Sequence, residues 1–116
     1  MALRPGSLIT VSFPFTDLSA IKRRPALVLV VHGEDLIVCG VTSKISRRRD
    51  AIPVDDREMA EGRLPKRSEI RPLKIFTIHR ALIHTLVGRV SDETFRRVVA
   101  ILISALQRGR RPATST

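Results

Sequence analysis

Ser7-Leu8-Ile9-Thr10-Val11-Ser12-Phe13 alternates. Leu8 and Thr10 fall on one face and Ile9, Val11 and Phe13 on the other, which predicts a strand entering the core and stopped by Pro14. Phe15 to Arg24 is polar, charged and turn-rich and predicts a loop. Pro25 to Val31 is a nearly continuous apolar run with β-branched residues, the pattern of a buried strand. His32-Gly33-Glu34-Asp35 is a turn signal, and Leu36 to Thr42 reads as the returning strand of a hairpin. Gly40 inside that strand predicts a bulge or a close backbone approach.

Further along, the pattern weakens and then changes period. Ser43 to Asp50 is polar and carries Arg47-Arg48-Arg49. Ala51-Ile52-Pro53-Val54 predicts a short strand, confined by Pro53 to a sheet edge. Asp55 to Gly62 fits one helical turn or a loop. Ser68 to Ile78 and Ala81 to Val90 contain two more strand-like stretches, interrupted by Pro72 and Gly88. From Ser91 to Gln107 the period becomes helical. Ser91 can cap the helix, Asp92 and Glu93 sit in its first turn, and Phe95, Val98, Val99, Leu102 and Leu106 form one apolar stripe. That stripe either covers the chain's own sheet or meets a second copy. Arg108 to Thr116 reads as a frayed polar tail. Short strands at close spacing with one closing helix predict a mainly β domain, a small, strongly curved β-barrel with a C-terminal α-helix. No repeat or linker divides it, so 1–107 is read as one domain.

Composition narrows the function. At 116 residues, with 43% hydrophobic residues, the chain has material for one core. A single cysteine, Cys39, excludes an internal disulfide framework and a cysteine-rich zinc module. No apolar run approaches the roughly 20 residues of a membrane span. Nor do the first residues, Met1 to Gly6, have the apolar stretch of a signal peptide, so a cytoplasmic location is expected. Net charge is +10, and 17 of the 21 basic residues are Arg. Setting aside Arg108, Arg110 and Arg111 of the tail, 18 basic residues still outnumber 11 acidic ones. Such a surface suits a polyanion, and Arg suits bidentate phosphate contacts. With only 3% aromatic residues, a broad base-stacking platform is not expected.

Candidate chemistry is sparse. On one continuous strand His79 and His84 face opposite sides, so a two-histidine acid–base pair is not expected. No His or Cys spacing matches a zinc site, and Asp55, Asp56, Glu58 and Glu61 read as a solvated acidic face, so neither a metal nor a cofactor is expected. Cys39 reads as a small buried apolar residue. What remains are arginines beside hydroxyls at strand ends. If the two apolar strands pair about the Glu34/Asp35 turn, Arg24 meets Thr42 and Ser43 at the open end. An Arg beside two hydroxyls can clamp a phosphate oxyanion. The same residues are equally consistent with a solvated Arg and a Thr that ends a strand.

Phe13-Pro14-Phe15-Thr16-Asp17-Leu18, Lys22-Arg23-Arg24-Pro25-Ala26-Leu27-Val28-Leu29 and Val41-Thr42-Ser43-Lys44 resemble the PemK/MazF family of type II toxin–antitoxin toxins. So do Gly62-Arg63-Leu64-Pro65-Lys66-Arg67-Ser68, Ile70-Arg71-Pro72, Phe76-Thr77-Ile78 and Gly88-Arg89-Val90-Ser91, in one register from about Arg4 to Leu106.

The resemblance implies an SH3-like barrel, a homodimer, and a metal-independent endoribonuclease that cuts single-stranded RNA at short sequences. It implies catalytic roles for Arg24, Thr42, Ser43 and Arg71. Attack by the RNA 2′-hydroxyl would leave a 2′,3′-cyclic phosphate and a 5′-hydroxyl. Asp17, Lys22, Lys44, Arg47, Arg48, Arg49 and His79 are the candidate RNA-binding residues. The implied partners are the RNA, a cognate antitoxin whose acidic C-terminal segment binds over the same groove, and promoter DNA for the complex. Two family positions that often hold Asp are Leu73 and His79 here, which leaves the general base open. His79 is the candidate for that work, since histidine is the side chain most often used for acid–base catalysis. The alternatives are a protein-directed, gyrase-type inhibitor and a non-catalytic nucleic-acid-binding module.

Overall fold

The structure, a computed structural model, describes residues 2–14 and 21–109. Seven antiparallel strands form one curled sheet, followed by a single long helix. The strands are β1 (Ser7–Pro14), β2 (Ile21–His32), β3 (Asp35–Thr42), β4 (Ile52–Val54), β5 (Met59–Gly62), β6 (Ser68–His79) and β7 (Ile83–Val90); the helix is α1 (Asp92–Arg108). Their order in the sheet is β4-β6-β3-β2-β1-β7-β5. Short 3-10 turns at Asp56–Glu58 and Arg80–Leu82 link strands that are consecutive in the chain but not adjacent in the sheet. The expected mainly β architecture with a C-terminal helix is present. The sheet curls into a half-barrel whose edges are β4 and β5.

The continuous apolar runs of β2 and β3 have a direct cause, because the sheet is buried on both faces there. Leu27, Leu29, Cys39, Val41, Ile70 and Val98 belong to a cluster on the helix side. Ala26, Val28, Leu36 and Val38 alternate with them and join Ile9 and Val11 in a second cluster on the opposite face. The hairpin closes through Gly33-Glu34, with His32 opposite Asp35. Gly33 adopts φ +60°, which a type II′ turn requires at its first central position and which costs glycine nothing. At this end the strands outrun the core, so Val30 and Val31, read from sequence as buried, are exposed.

Two expectations are corrected at the N-terminal side and the middle of the chain. Residues 21–24, expected in a loop, continue β2 and pair with β1 from Pro14↔Ile21 to Val11↔Arg24. Ladder hydrogen bonds on the β1 side support this segment, so its polar side chains need no burial. Pro25 is tolerated because the β3 ladder begins only at Ala26, leaving Pro25 paired on one side. The stretch 55–62 is more than a turn or loop, since Met59–Gly62 is strand β5 on β7. Its residues are largely exposed and so carry no alternation. Glu61 and Arg89 face each other across that pair and form a 3.1 Å ion pair. Asp55 and Glu58, from the acidic cluster, form a capping box on the 3-10 turn.

β4 is an edge strand, as Pro53 requires. The helix begins where expected. The Ser91 hydroxyl accepts from the Thr94 amide at 3.2 Å and donates to the Thr94 hydroxyl at 3.0 Å. Phe95, Val98, Ile101 and Leu102 pack on the helix-side cluster. Leu106, predicted in the stripe, is 63% exposed because the last turn runs past the sheet. Ser91→Ala is expected to cost about 1 kcal/mol, a fall in Tm of about 4 °C in a thermal melt.

Candidate functional site

The open end of the β2–β3 hairpin carries a cleft of about 500 Å³. The β2–β3 register runs through Leu27↔Cys39 to Ala26↔Gly40, where the ladder stops; Arg24 and Thr42, each two residues beyond on its own strand, border the same cleft. Period-2 alternation then puts Arg24, Ala26, Gly40 and Thr42 on one face of the sheet. β6 adds Arg71 to that face, opposite Gly40. All five line the cleft, together with Lys44, Lys74 and Phe76. Among the described residues, four cations, Arg24, Lys44, Arg71 and Lys74, therefore border one cavity, and no Asp or Glu lines it.

The bulge expected at Gly40 lies across from it. β6 pairs Ile75 with Cys39 and Arg71 with Gly40, so Pro72, Leu73 and Lys74 are excess residues on β6. A Cβ on Gly40 would stand 3.2 Å from Lys74 Cδ. The missing side chain lets the Lys74 stem lie across β3 and bring its ammonium to the cleft. Thr42 is fixed differently. Its Oγ1 accepts the Lys44 amide at 3.1 Å, an ST turn that occupies one lone pair and keeps the hydroxyl proton for another acceptor.

Beside the cleft lies a buried carboxylate to which the sequence reading gave no role. Glu69 is opposite Thr42 in the β3–β6 ladder and its side chain is only 2% exposed. Oε1 accepts the Ser46 amide at 2.9 Å, and Oε2 accepts the Ser46 hydroxyl at 2.6 Å and Arg71 Nε at 3.1 Å. The Ser46 donors and the Arg71 charge hold the Glu69 carboxyl below its ordinary 4.5, against the burial that pushes it up. The stability it contributes is thus fully present above pH of about 4.5 and is lost as pH falls through the lower folded value. Glu69→Gln is expected to flatten the acid limb of a Tm-against-pH curve in that window. The sequence did hold a signal, since Glu69 and Arg71 are two apart on one strand and so share a face.

The remaining predicted residues divide. Lys22 is exposed on β2, two residues from Arg24 and so on the same side of the strand. Ser43 is exposed and follows Thr42 without lining the cleft. Arg47, Arg48 and Arg49 are exposed on the loop anchored by Ser46 and also stay outside the lining. Arg47 has φ +59°, an uncommon conformation for Arg, held between the Ser46 anchor and the Arg48–Asp50 ion pair at 3.1 Å. His79 is at the far end of β6, opposite Asp35, where its Nδ1 accepts the Ala81 amide at 3.0 Å. The structure does not bring it to the cleft. Nor do His79 and His84 share one strand, because a 3-10 turn separates β6 from β7. Asp17 lies outside the described residues. Cys39 is buried, with its thiol pushed up to about 12 by desolvation. Among the described residues no group of three or more His, Cys, Asp and Glu could hold a metal, and no helix is long and apolar enough to cross a membrane.

Residues 4–106 match the family model of the PemK-like, MazF-like toxins of type II toxin–antitoxin systems. The chain belongs to that family. Solved structures share its fold. An endoribonuclease in complex with its cognate antitoxin, from a Mycobacterial species, superposes with a TM-score of 0.73 at 14% identity, covering 91% of this chain and 96% of that one. A chain of the MazE-MazF crystal structure (Form-II) from Deinococcus radiodurans gives 0.74 at 17% identity, over 89% and 94% of the two chains. The Mycobacterium tuberculosis toxin MazF-mt6 gives 0.67 at 18% identity, over 87% and 96%. No curated protein matches the chain in sequence. The family match supports the expected resemblance, and at these identities the solved structures speak for the fold.

Proposed function

We infer that this toxin is an endoribonuclease that cuts single-stranded RNA at short sequences without a metal ion. The observation that carries this reading is a cleft in which four cations and an oriented Thr42 hydroxyl converge. That donor set fits an RNA phosphate and would repel a divalent cation. Arg24 and Arg71 neutralise the charge that develops on the phosphorane. Thr42 donates its hydroxyl proton to a phosphate oxygen, and Ser43 extends the same strand end. The RNA's own 2′-hydroxyl attacks the adjacent phosphorus and the 5′-oxygen leaves, giving a 2′,3′-cyclic phosphate and a 5′-hydroxyl. Guanidinium stays protonated, and His79 is engaged at the far end of β6. The acceleration therefore rests on positioning and charge rather than on a side-chain base.

Lys22, Lys44 and the Arg47–Arg49 loop extend the basic surface along which RNA would lie; Asp17, outside the described residues, is assigned an RNA contact by the resemblance alone. An acidic antitoxin segment would bind the same surface, and a homodimer and a promoter-binding antitoxin complex complete the reading. A binding-only module has one observation in its favour: among the described residues, no His, Asp or Glu lines the cleft.

Incubating a long unstructured RNA with the protein in EDTA, and mapping the fragment ends, separates the two. Discrete cuts with 5′-hydroxyl ends are expected. Intact RNA with binding retained would move the reading to the binding module, and neither binding nor cleavage would turn attention to a protein target. Affinity for an uncleavable oligonucleotide is expected to fall with salt with a log–log slope of about −3, from four phosphate contacts on a single strand. A slope near zero, measured by fluorescence anisotropy, would contradict phosphate binding by the cleft.

A further inference from the structure

We propose that Glu69 is a positioning residue that locks the Arg71 guanidinium and the Ser46 corner of the basic loop into one preformed anion-binding frame. This rests on the phosphate-handling reading of the cleft. Glu69 is almost completely buried and is not itself among the residues that line the cleft. All three of its hydrogen bonds serve the site's surroundings, two to Ser46 and one to Arg71. A buried carboxylate is costly to desolvate and is retained where its donors need fixing.

The atoms involved show what is fixed. Among the described residues, the hydrogen-bond partner of Arg71 is Glu69, and the bond uses Nε. That contact sets the plane of the guanidinium and leaves both terminal nitrogens for a phosphate, in the fork geometry that a bidentate contact needs. On the other side, both Ser46 donors bind the same carboxylate, which pins the loop one residue before the left-handed Arg47. Glu69 thus couples a cleft arginine to the turn that carries Arg47, Arg48 and Arg49. As a general base it is unsuited: its carboxyl already accepts from three donors among the described residues, is held ionised by them, and is not among the residues that line the cleft. Its effect on the reaction runs through Arg71.

A double-mutant cycle tests this with single-turnover RNA cleavage and Arg71 Nε–H exchange by NMR. Glu69→Gln is expected to slow cleavage about 10- to 100-fold, and to slow it less than twofold further in an Arg71→Ala background. The Arg71 Nε–H signal should be protected in the unaltered protein and exchange freely in Glu69→Gln. Losses that multiply across the cycle, or an Nε–H that keeps its protection in Glu69→Gln, would overturn the proposal. Arg71→Lys leaves Glu69 in place and covers the case in which Glu69→Gln does not fold. It should lose as much activity as Arg71→Ala, because an ammonium paired to Glu69 cannot present the fork. Full activity in Arg71→Lys would show that a point charge suffices and would also overturn it. If the unaltered protein binds RNA but does not cut it, the nuclease reading fails alone; the cycle is then read on oligonucleotide affinity, with the Nε–H result unchanged in meaning.

Discussion

Arg24→Ala is expected to reduce RNA cleavage about 10²- to 10³-fold, the range seen when one preorganised donor to a developing oxyanion is removed. The expectation follows from where β2 begins. Because residues 21–24 are held in the β1 ladder, Arg24 projects from a strand rather than from a loop, into the cleft that Thr42 also lines. A strand-mounted guanidinium costs little reorganisation when the phosphorane forms. The same location makes the substitution benign for folding. Arg24 is exposed and its backbone pairing does not depend on its side chain, so Tm should move by no more than the equivalent of about 1 kcal/mol, the upper range for an exposed charged contact. Single-turnover cleavage with a parallel thermal melt checks both halves. A loss below tenfold would remove Arg24 from the chemistry. A large drop in Tm would mean that lost activity reports lost fold.

The largest effect on stability is expected from Gly88→Ala. A Cβ at Gly88 would stand 2.2 Å from the Glu61 carbonyl oxygen and 2.9 Å from Met59 Cε. The methionine end can swing away, but the carbonyl belongs to the β5 backbone and can yield only if β5 separates from β7. Overpacking of this kind costs about 3 kcal/mol, a fall in Tm of about 10–15 °C for a domain of this size. The loss should concentrate at one sheet edge. Hydrogen exchange is expected to show faster exchange in 59–62 and 86–90 than in β2 and β3. A Tm within 2 °C or so of the parent protein would show that β5 docks on β7 more loosely than the structure has it.

Those contrasts show which parts of the fold were legible in the chain. β2 and β3 were readable because burial on both faces demands unbroken apolar runs. α1 was readable because Ser91 and the Phe95–Val98–Leu102 stripe agree with each other. β5 was not, because Ala60, Glu61 and Gly62 are exposed and are held by backbone pairing and the Glu61–Arg89 contact. The start of β2 was hidden for the same reason. In the site, pairing about the Gly33-Glu34 turn was enough to bring Arg24 to Thr42. Arg71 entered only through the family resemblance, since its place opposite Gly40 depends on a three-residue excess in β6 that no spacing announces. Lys74 reaches the cleft through that same excess. Glu69 escaped notice because a lone carboxylate on a strand ordinarily faces solvent, and its partner Ser46 is 23 residues away.

The two-sided burial of β2 and β3 also limits how the cleft can diverge over evolutionary time. Ala26, Gly40 and Thr42 are interleaved with Leu27, Cys39 and Val41 of the helix-side core, so an insertion or a register slip that recasts the floor of the cleft inverts the core as well. Innovation is pushed to the periphery, to the first residues of β2, the loop after Thr42 and the bulge at Pro72–Lys74. Descendants of this chain that acquire a new target sequence would keep the floor and rewrite the rim.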